Sequence, residues 1–274
     1  PIQFLLKDMI ASNNNISDFG GHLLAKHFVV FFFFFISGIF FYLILKKIIE
    51  NENFSKTGTI IYLLYPYLFG QSLFSPKDVP FMSIWLICTY FSLKIFERLI
   101  DKKNISNLST ILFALITSYL LSIRIAGILI FLQYLVTFII YLSLTNINNS
   151  SFIKKFYLNL IIFIFGTTFF TIVFYPELWI NPFGVVDIIN TMSNHFNNVG
   201  TNTYGKIMYS TNLPSTYMLI WFVVKLPIII IIGICLIPFT EKKIFSSSKK
   251  TIYFGSILIS IILIPLVLIF RKVH

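Results

Sequence analysis

Charge is what this sequence has least of. Only 11% of its 274 residues are charged, and just 10 are Asp or Glu. A soluble domain carries about 25% charged residues, because water must solvate its surface. The shortage excludes an ordinary water-solvated globule. Hydrophobic residues make up 57% of the chain and mean hydropathy is +0.87, so the solvent for most of the surface is lipid. Cysteine is scarce too. Cys88 and Cys235 both fall inside apolar runs and read as buried thiols that carry no information on redox compartment. Period-2 alternation is missing from the apolar runs, which excludes a membrane barrel. There is no Gly-rich phosphate loop and no metal-ligand spacing. The chain opens on Pro1 without a basic signal-peptide region or a cleavage site. Its last apolar run stops against Arg271 and Lys272. One membrane domain over 1–274, continuing beyond both ends, is therefore expected.

Apolar runs long enough to cross a hydrocarbon core of about 30 Å recur along the chain, and without water such spans must be helical. The sequence predicts an all-α, polytopic protein with about eight transmembrane helices. They run about 28–45, 57–74 (broken by Pro66), 81–96, 108–123, 125–144, 157–174, 215–237 and 251–270. The one long hydrophilic segment is 175–214. The loops at 46–56, 97–107, 145–156 and 239–250 hold most of the Lys and Arg and are expected to be cytoplasmic by the positive-inside rule. That distribution accounts for the net charge of +11, so no nucleic-acid partner is expected. The opposite face then collects Asp8, Asp18, His22, His27, Asp78, Arg124, Glu177, Asp187 and His195. This asymmetry is the main pointer to a site.

Three stretches have the composition of a site. In Ser75-Pro76-Lys77-Asp78-Val79-Pro80-Phe81, two prolines stiffen the turn around a Lys-Asp pair. Two readings are compatible: an Asp capping the next helix, with Pro80 in its first turn, and an acid and a base held rigidly at the membrane surface. Arg124 stands between Ile123 and Ile125, far from the basic loops. It reads either as a snorkelling interfacial residue or as a phosphate clamp, for which a planar, permanently charged fork is suited. The long segment opens Tyr175-Pro176-Glu177-Leu178-Trp179-Ile180-Asn181-Pro182 and continues to Tyr204-Gly205-Lys206 and Leu213-Pro214. It reads as a compact loop. Trp179 suits an interfacial anchor, and 183–196 an amphipathic helix lying on the membrane. His195 reads more readily as a solvated residue than as a ligand.

These motifs resemble those of the C-type polytopic glycosyltransferases related to the dolichyl-phosphate-mannose–protein mannosyltransferases, a superfamily that includes the lipid A aminoarabinose transferase. The carriers are the Ser75–Phe81 turn, the Tyr175–Pro182 stretch, and the order of Tyr204-Gly205-Lys206, Leu213-Pro214-Ser215-Thr216-Tyr217 and Pro227. The resemblance implies a transferase that moves a sugar from a polyprenyl-phosphate carrier to an acceptor hydroxyl on a glycan, lipid or protein. The bilayer and the lipid-linked donor are then its partners, and the active face of a bacterial-type plasma membrane is extracytoplasmic. It implies a catalytic role for Asp78 and substrate-binding roles for Lys77, Arg124, Glu177, Trp179, His195 and Lys206. The co-substrate is the polyprenyl-phosphate sugar; no other cofactor is indicated and metal dependence is open. The family's usual catalytic acid lies in a first external loop, of which Asp8 and Asp18 would be the tail; neither sits in the family's acidic motif, so the main catalytic acid is expected outside this chain. The alternatives are a transporter or flippase and a non-catalytic membrane subunit. A transport path needs ionisable residues near the bilayer midplane, and Lys225 is the clear charge well inside a span.

Overall fold

The computed structural model describes residues 18–145, 150–181, 184, 186–187, 191, 200–203, 205–209, 213–214, 216–244 and 247–270. The helices are α1 (Asp18–Ile49), α2 (Glu52–Leu64), α3 (Pro66–Phe74), α4 (Asp78–Ile100), α5 (Asn107–Ile123), α6 (Leu129–Leu144), α7 (Ser150–Phe174), the short α8 (Glu177–Ile180), α9 (Tyr217–Lys225), α10 (Ile228–Ile244) and α11 (Ser248–Phe270). A 3-10 turn, Ile125–Ile128, links α5 to α6. Among the described residues, four segments are long and apolar enough to cross a membrane: Gly20–Ile49, Asp78–Ile100, Ile125–Leu144 and Phe156–Phe174. Their outward faces are covered with large apolar side chains such as Phe35, Ile139, Phe165 and Phe169. Water would not tolerate so much contiguous apolar surface. This is the architecture of a helical membrane protein.

Local chemistry explains where the helices stop. Asn51 caps α2 by accepting from the backbone N–H groups of Asn53 and Phe54 at 3.1 and 3.2 Å. Lys102 takes a left-handed φ of 52°. The bonds Lys103 N–H to Arg98 C=O and Lys102 N–H to Leu99 C=O then close α4 as a Schellman end. Pro66 cannot donate to a helical carbonyl and forces Tyr65 into an extended conformation (φ −60°, ψ 116°). The span expected at 57–74 is accordingly two helices.

The span expected at 215–237 is also two helices, which the sequence reading missed. α9 ends at Lys225, and α10 begins after Pro227 and runs on to Ile244. The described residues are mostly helical, as the all-α expectation requires, with one small addition. Inside the 175–214 segment, Gly200–Thr203 and Lys206–Tyr209 pair as an antiparallel hairpin. Gly205 sits in its turn with φ +73°, a conformation that favours glycine.

In the packing, α1 is flanked by α2 and α4, α5 lies along α7, and α6 packs on α11. One core cluster, including Ile84, Trp85, Cys88, Leu120 and Ile130, ties α4, α5 and α6 together. Polar side chains bridge helices inside the bundle. Gln133 Nε2 donates to Thr89 Oγ1 at 3.1 Å and to Ser256 Oγ at 3.2 Å, Thr110 donates to Asn159 at 2.9 Å, and Ser37 meets Tyr62 at 2.7 Å. Interhelical hydrogen bonds of this kind help hold membrane bundles, where apolar burial no longer drives association.

The two ends of the bundle differ in charge. At one end, Lys47 pairs with Glu97, Lys249 with Asp101 at 2.7 Å, and Lys250 with Glu50 at 2.9 Å. These pairs join α1, α4 and α11 and gather three of the expected basic loops at a single end. Lys249 lowers the titration of Asp101, chiefly by donating a hydrogen bond to it.

Candidate functional site

The opposite end is built by helix termini. α4 starts at Asp78, with Lys77 at the N-cap position making no side-chain cap. The capping reading of Asp78 is thus corrected: it lies in the first turn, where a carboxylate is favoured by the helix dipole. One of its oxygens, Oδ2, accepts from Ser75 Oγ at 2.9 Å. The other, Oδ1, lies 2.6 Å from Arg124 Nη2. Asp78 is therefore placed to orient Arg124.

Arg124 is held by its own backbone. It is extended (φ −150°, ψ 137°) between α5 and the 3-10 turn, and its carbonyl accepts from Gly127 N–H at 2.9 Å. A Cβ on Gly127 would lie 3.1 Å from the Leu120 carbonyl oxygen, a tight approach that glycine relieves. The Arg124 side chain is 44% exposed. With one nitrogen committed to Asp78, most of its five N–H donors stay available to an anion.

The start of the long loop folds onto the same end. Tyr175 donates its hydroxyl to the Leu121 carbonyl at 2.8 Å, one turn from Arg124. Its titration is pushed up by burial and then by the nearby Glu177 carboxylate. Trp179 donates from Nε1 to the Ile172 carbonyl at 2.7 Å while its ring stays exposed, as an interfacial anchor would. Leu178 is buried beneath the turn. Of the stretch bracketed by Pro176 and Pro182, the structure describes the chain as far as Asn181, where it makes the single turn of α8.

Of the sequence-derived site residues, Asp78 and Arg124 come into contact. Glu177 and Trp179 stand at the same end without touching that pair. Lys77 is exposed and forms no ion pair among the described residues. Lys206 is exposed on the second strand of the hairpin. His195 and Asp8 lie outside the described residues, as do the side chain of Asp18 and most of 183–196. Among the described residues, no group of three His, Cys, Asp or Glu could hold a metal ion.

Sequence reasoning missed Ser75 as a partner of Asp78 three residues on, and Tyr175, whose contact with Leu121 is distant in the chain. It also missed the junction of the two interrupted helices, where Tyr65 donates its hydroxyl to the Lys225 carbonyl at 2.8 Å. The doubled proline interruption, Pro66 and Pro227, was the available signal. A cavity of about 500 Å³, almost wholly apolar, opens between α4, α5, α6 and α7 near Ser92, Phe96 and Leu99. It lies toward the basic end of α4, away from Asp78.

Comparison with family models, curated proteins and solved structures finds no match to this chain. The class stands on its own architecture: a helical membrane protein with an ion-paired Asp and Arg at one end of the bundle and a cluster of basic ion pairs at the other.

Proposed function

We propose that this protein transfers a sugar from a polyprenyl-phosphate carrier to an acceptor hydroxyl, at the extracytoplasmic face of a bacterial-type plasma membrane. Counting α2–α3 and α9–α10 as interrupted crossings, the chain traverses the bilayer eight times. The basic end then lies in the cytoplasm, as the positive-inside rule requires.

The observation that carries the reading is the Asp78–Arg124 pair. Its two members come from separate turns and meet at the end where the long loop begins. In the displacement, a carboxylate takes the acceptor's proton as its oxygen attacks the anomeric carbon. The bond from that carbon to the carrier phosphate breaks, and the phosphate leaves with the electron pair. Arg124, aimed by Asp78, neutralises the charge that gathers there. Asp78 is a positioning residue, because both of its oxygens are engaged by Ser75 and Arg124. Glu177 is exposed at this end and forms no ion pair among the described residues, so it is a carboxylate available as base; Asp187, exposed in the same long segment, is another.

The test is to supply the full-length protein in membranes with radiolabelled polyprenyl-phosphate sugars and follow release of polyprenyl phosphate. Sugar-dependent release is the expected result. A folded protein that releases nothing from any donor and binds no carrier overturns the reading.

One observation favours a second reading, a transporter. Two interrupted helices meet at Tyr65 and Lys225, and paired helix breaks mark substrate sites in many transporters. Uptake or flipping of a solute without release of polyprenyl phosphate is the outcome that selects it.

A further inference from the structure

Lys225 is exposed on the outside of the bundle, within the span expected at 215–237. Ser37 and Tyr62 share a hydrogen bond of 2.7 Å, which puts Tyr62 level with the middle of the Gly20–Ile49 span. Tyr65 is one turn further along and donates to the carbonyl of Lys225. The Lys225 backbone therefore lies alongside the Gly20–Ile49 span, between its middle and the Asp78–Arg124 end.

Its ammonium reaches away from that middle. Nζ lies 5.2 Å from the Tyr67 ring centroid and 4.8 Å from that of Trp221. Trp221 is one helical turn nearer the long loop, and Tyr67 lies in the first turn of α3 on the way to Phe74. The side chain thus points toward the Asp78–Arg124 end, as helical side chains lean toward the N-terminus.

No carboxylate forms an ion pair with Lys225 among the described residues. Aromatic faces attract a cation, yet they offset only part of the cost of placing one inside a membrane, and such residues mark sites. The first turn of α3 adds to the positive potential. Its N-cap, Tyr65, makes no side-chain cap, so the dipole of α3 presents its positive end beside the ammonium.

We propose that Lys225, between Tyr67 and Trp221 at the junction of the interrupted helices, binds the phosphate of a membrane lipid. The lipid's chain lies along the exposed apolar faces of α9 and α10, where Val223, Val224, Ile228 and Ile229 are all open. The phosphate comes either from a polyprenyl phosphate or from an anionic phospholipid. The site does not require that the protein be a sugar transferase, and its test reads binding alone.

The full-length protein in nanodiscs is examined by native mass spectrometry. Separate samples contain phosphatidylglycerol, polyprenyl phosphate or the phosphate-free polyprenol. Wild type is expected to retain one phosphate-bearing lipid and to hold polyprenol at least tenfold more weakly. Lys225→Met, of similar length and without charge, loses that preference, and Lys225→Arg restores it. Displacement of the phospholipid by polyprenyl phosphate identifies the carrier as occupant, and failure to displace it identifies a resident phospholipid; both outcomes support the site. Two results overturn it: equal retention of polyprenol and polyprenyl phosphate by wild type, or unchanged phosphate preference in a folded Lys225→Met protein.

Discussion

Arg124 and Asp78 meet through a 2.6 Å contact between Nη2 and Oδ1, although one follows α5 and the other begins α4. Ser75 fixes the second carboxylate oxygen at 2.9 Å. The pair is about half exposed, and pairs of that kind contribute only about 0.2–1 kcal/mol to stability. Its weight is therefore in positioning. Replacing Arg124 with Ala is expected to leave expression and thermal stability within about 1 kcal/mol of wild type while lowering turnover by roughly 100- to 1,000-fold. Turnover in membranes and an unfolding curve on the same preparation check both halves.

Asp78→Asn keeps the shape and removes the charge that aims Arg124. The expected loss in turnover is smaller, up to about 100-fold. Once Arg124 is Ala, the same change should cost little more, because the two residues act through one interaction. Fully independent losses in the double variant would remove Asp78 as the positioning partner.

Tyr175 fastens the long loop to α5 through the Leu121 carbonyl. Tyr175→Phe is expected to cost about 1 kcal/mol, read as earlier unfolding and as increased hydrogen exchange over Glu177–Ile180. Burial raises the titration of this phenol, so the folded state holds the proton more tightly than the unfolded chain. The attachment is then complete below about pH 10, the ordinary phenol value, and is lost as pH rises through the elevated one. Trp179, whose indole bonds to Ile172 next door, reports the release by fluorescence.

At the basic end, Lys249 depresses the titration of Asp101, and its own titration is raised by the same bond. A depressed carboxylate stabilises above its unfolded value, near 3.9, and that contribution disappears as pH falls through the folded value. Spin labels at the end of α4 and the start of α11 should therefore separate below about pH 4. High salt should loosen the same contact, because the groups are exposed.

Much of the bundle was legible in apolar run lengths alone. α1, α4, α6 and α7 coincide with runs that only a lipid-facing or buried helix tolerates, and Pro66 announced the break after Tyr65. The break at Lys225–Pro227 was just as available, but the apolar residues on both sides mask it when hydropathy is averaged. The hairpin at Gly200–Tyr209 was missed because its strands are four residues each and the first, Gly-Thr-Asn-Thr, is polar. Asp78 and Arg124 were each visible as charges out of place. Their contact was not, since it depends on how the turn at Arg124 and the start of α4 are brought together by packing. The clusters around Leu120 and Ile130 do that work, and local sequence does not encode it.

Release of polyprenyl phosphate from radiolabelled lipid-linked sugars, compared between wild type and Arg124→Ala in the same membranes, tests the central claim most directly. The account predicts sugar-dependent release by wild type and its near-complete loss in a variant that still folds and still binds the carrier. Undiminished release by Arg124→Ala would contradict it.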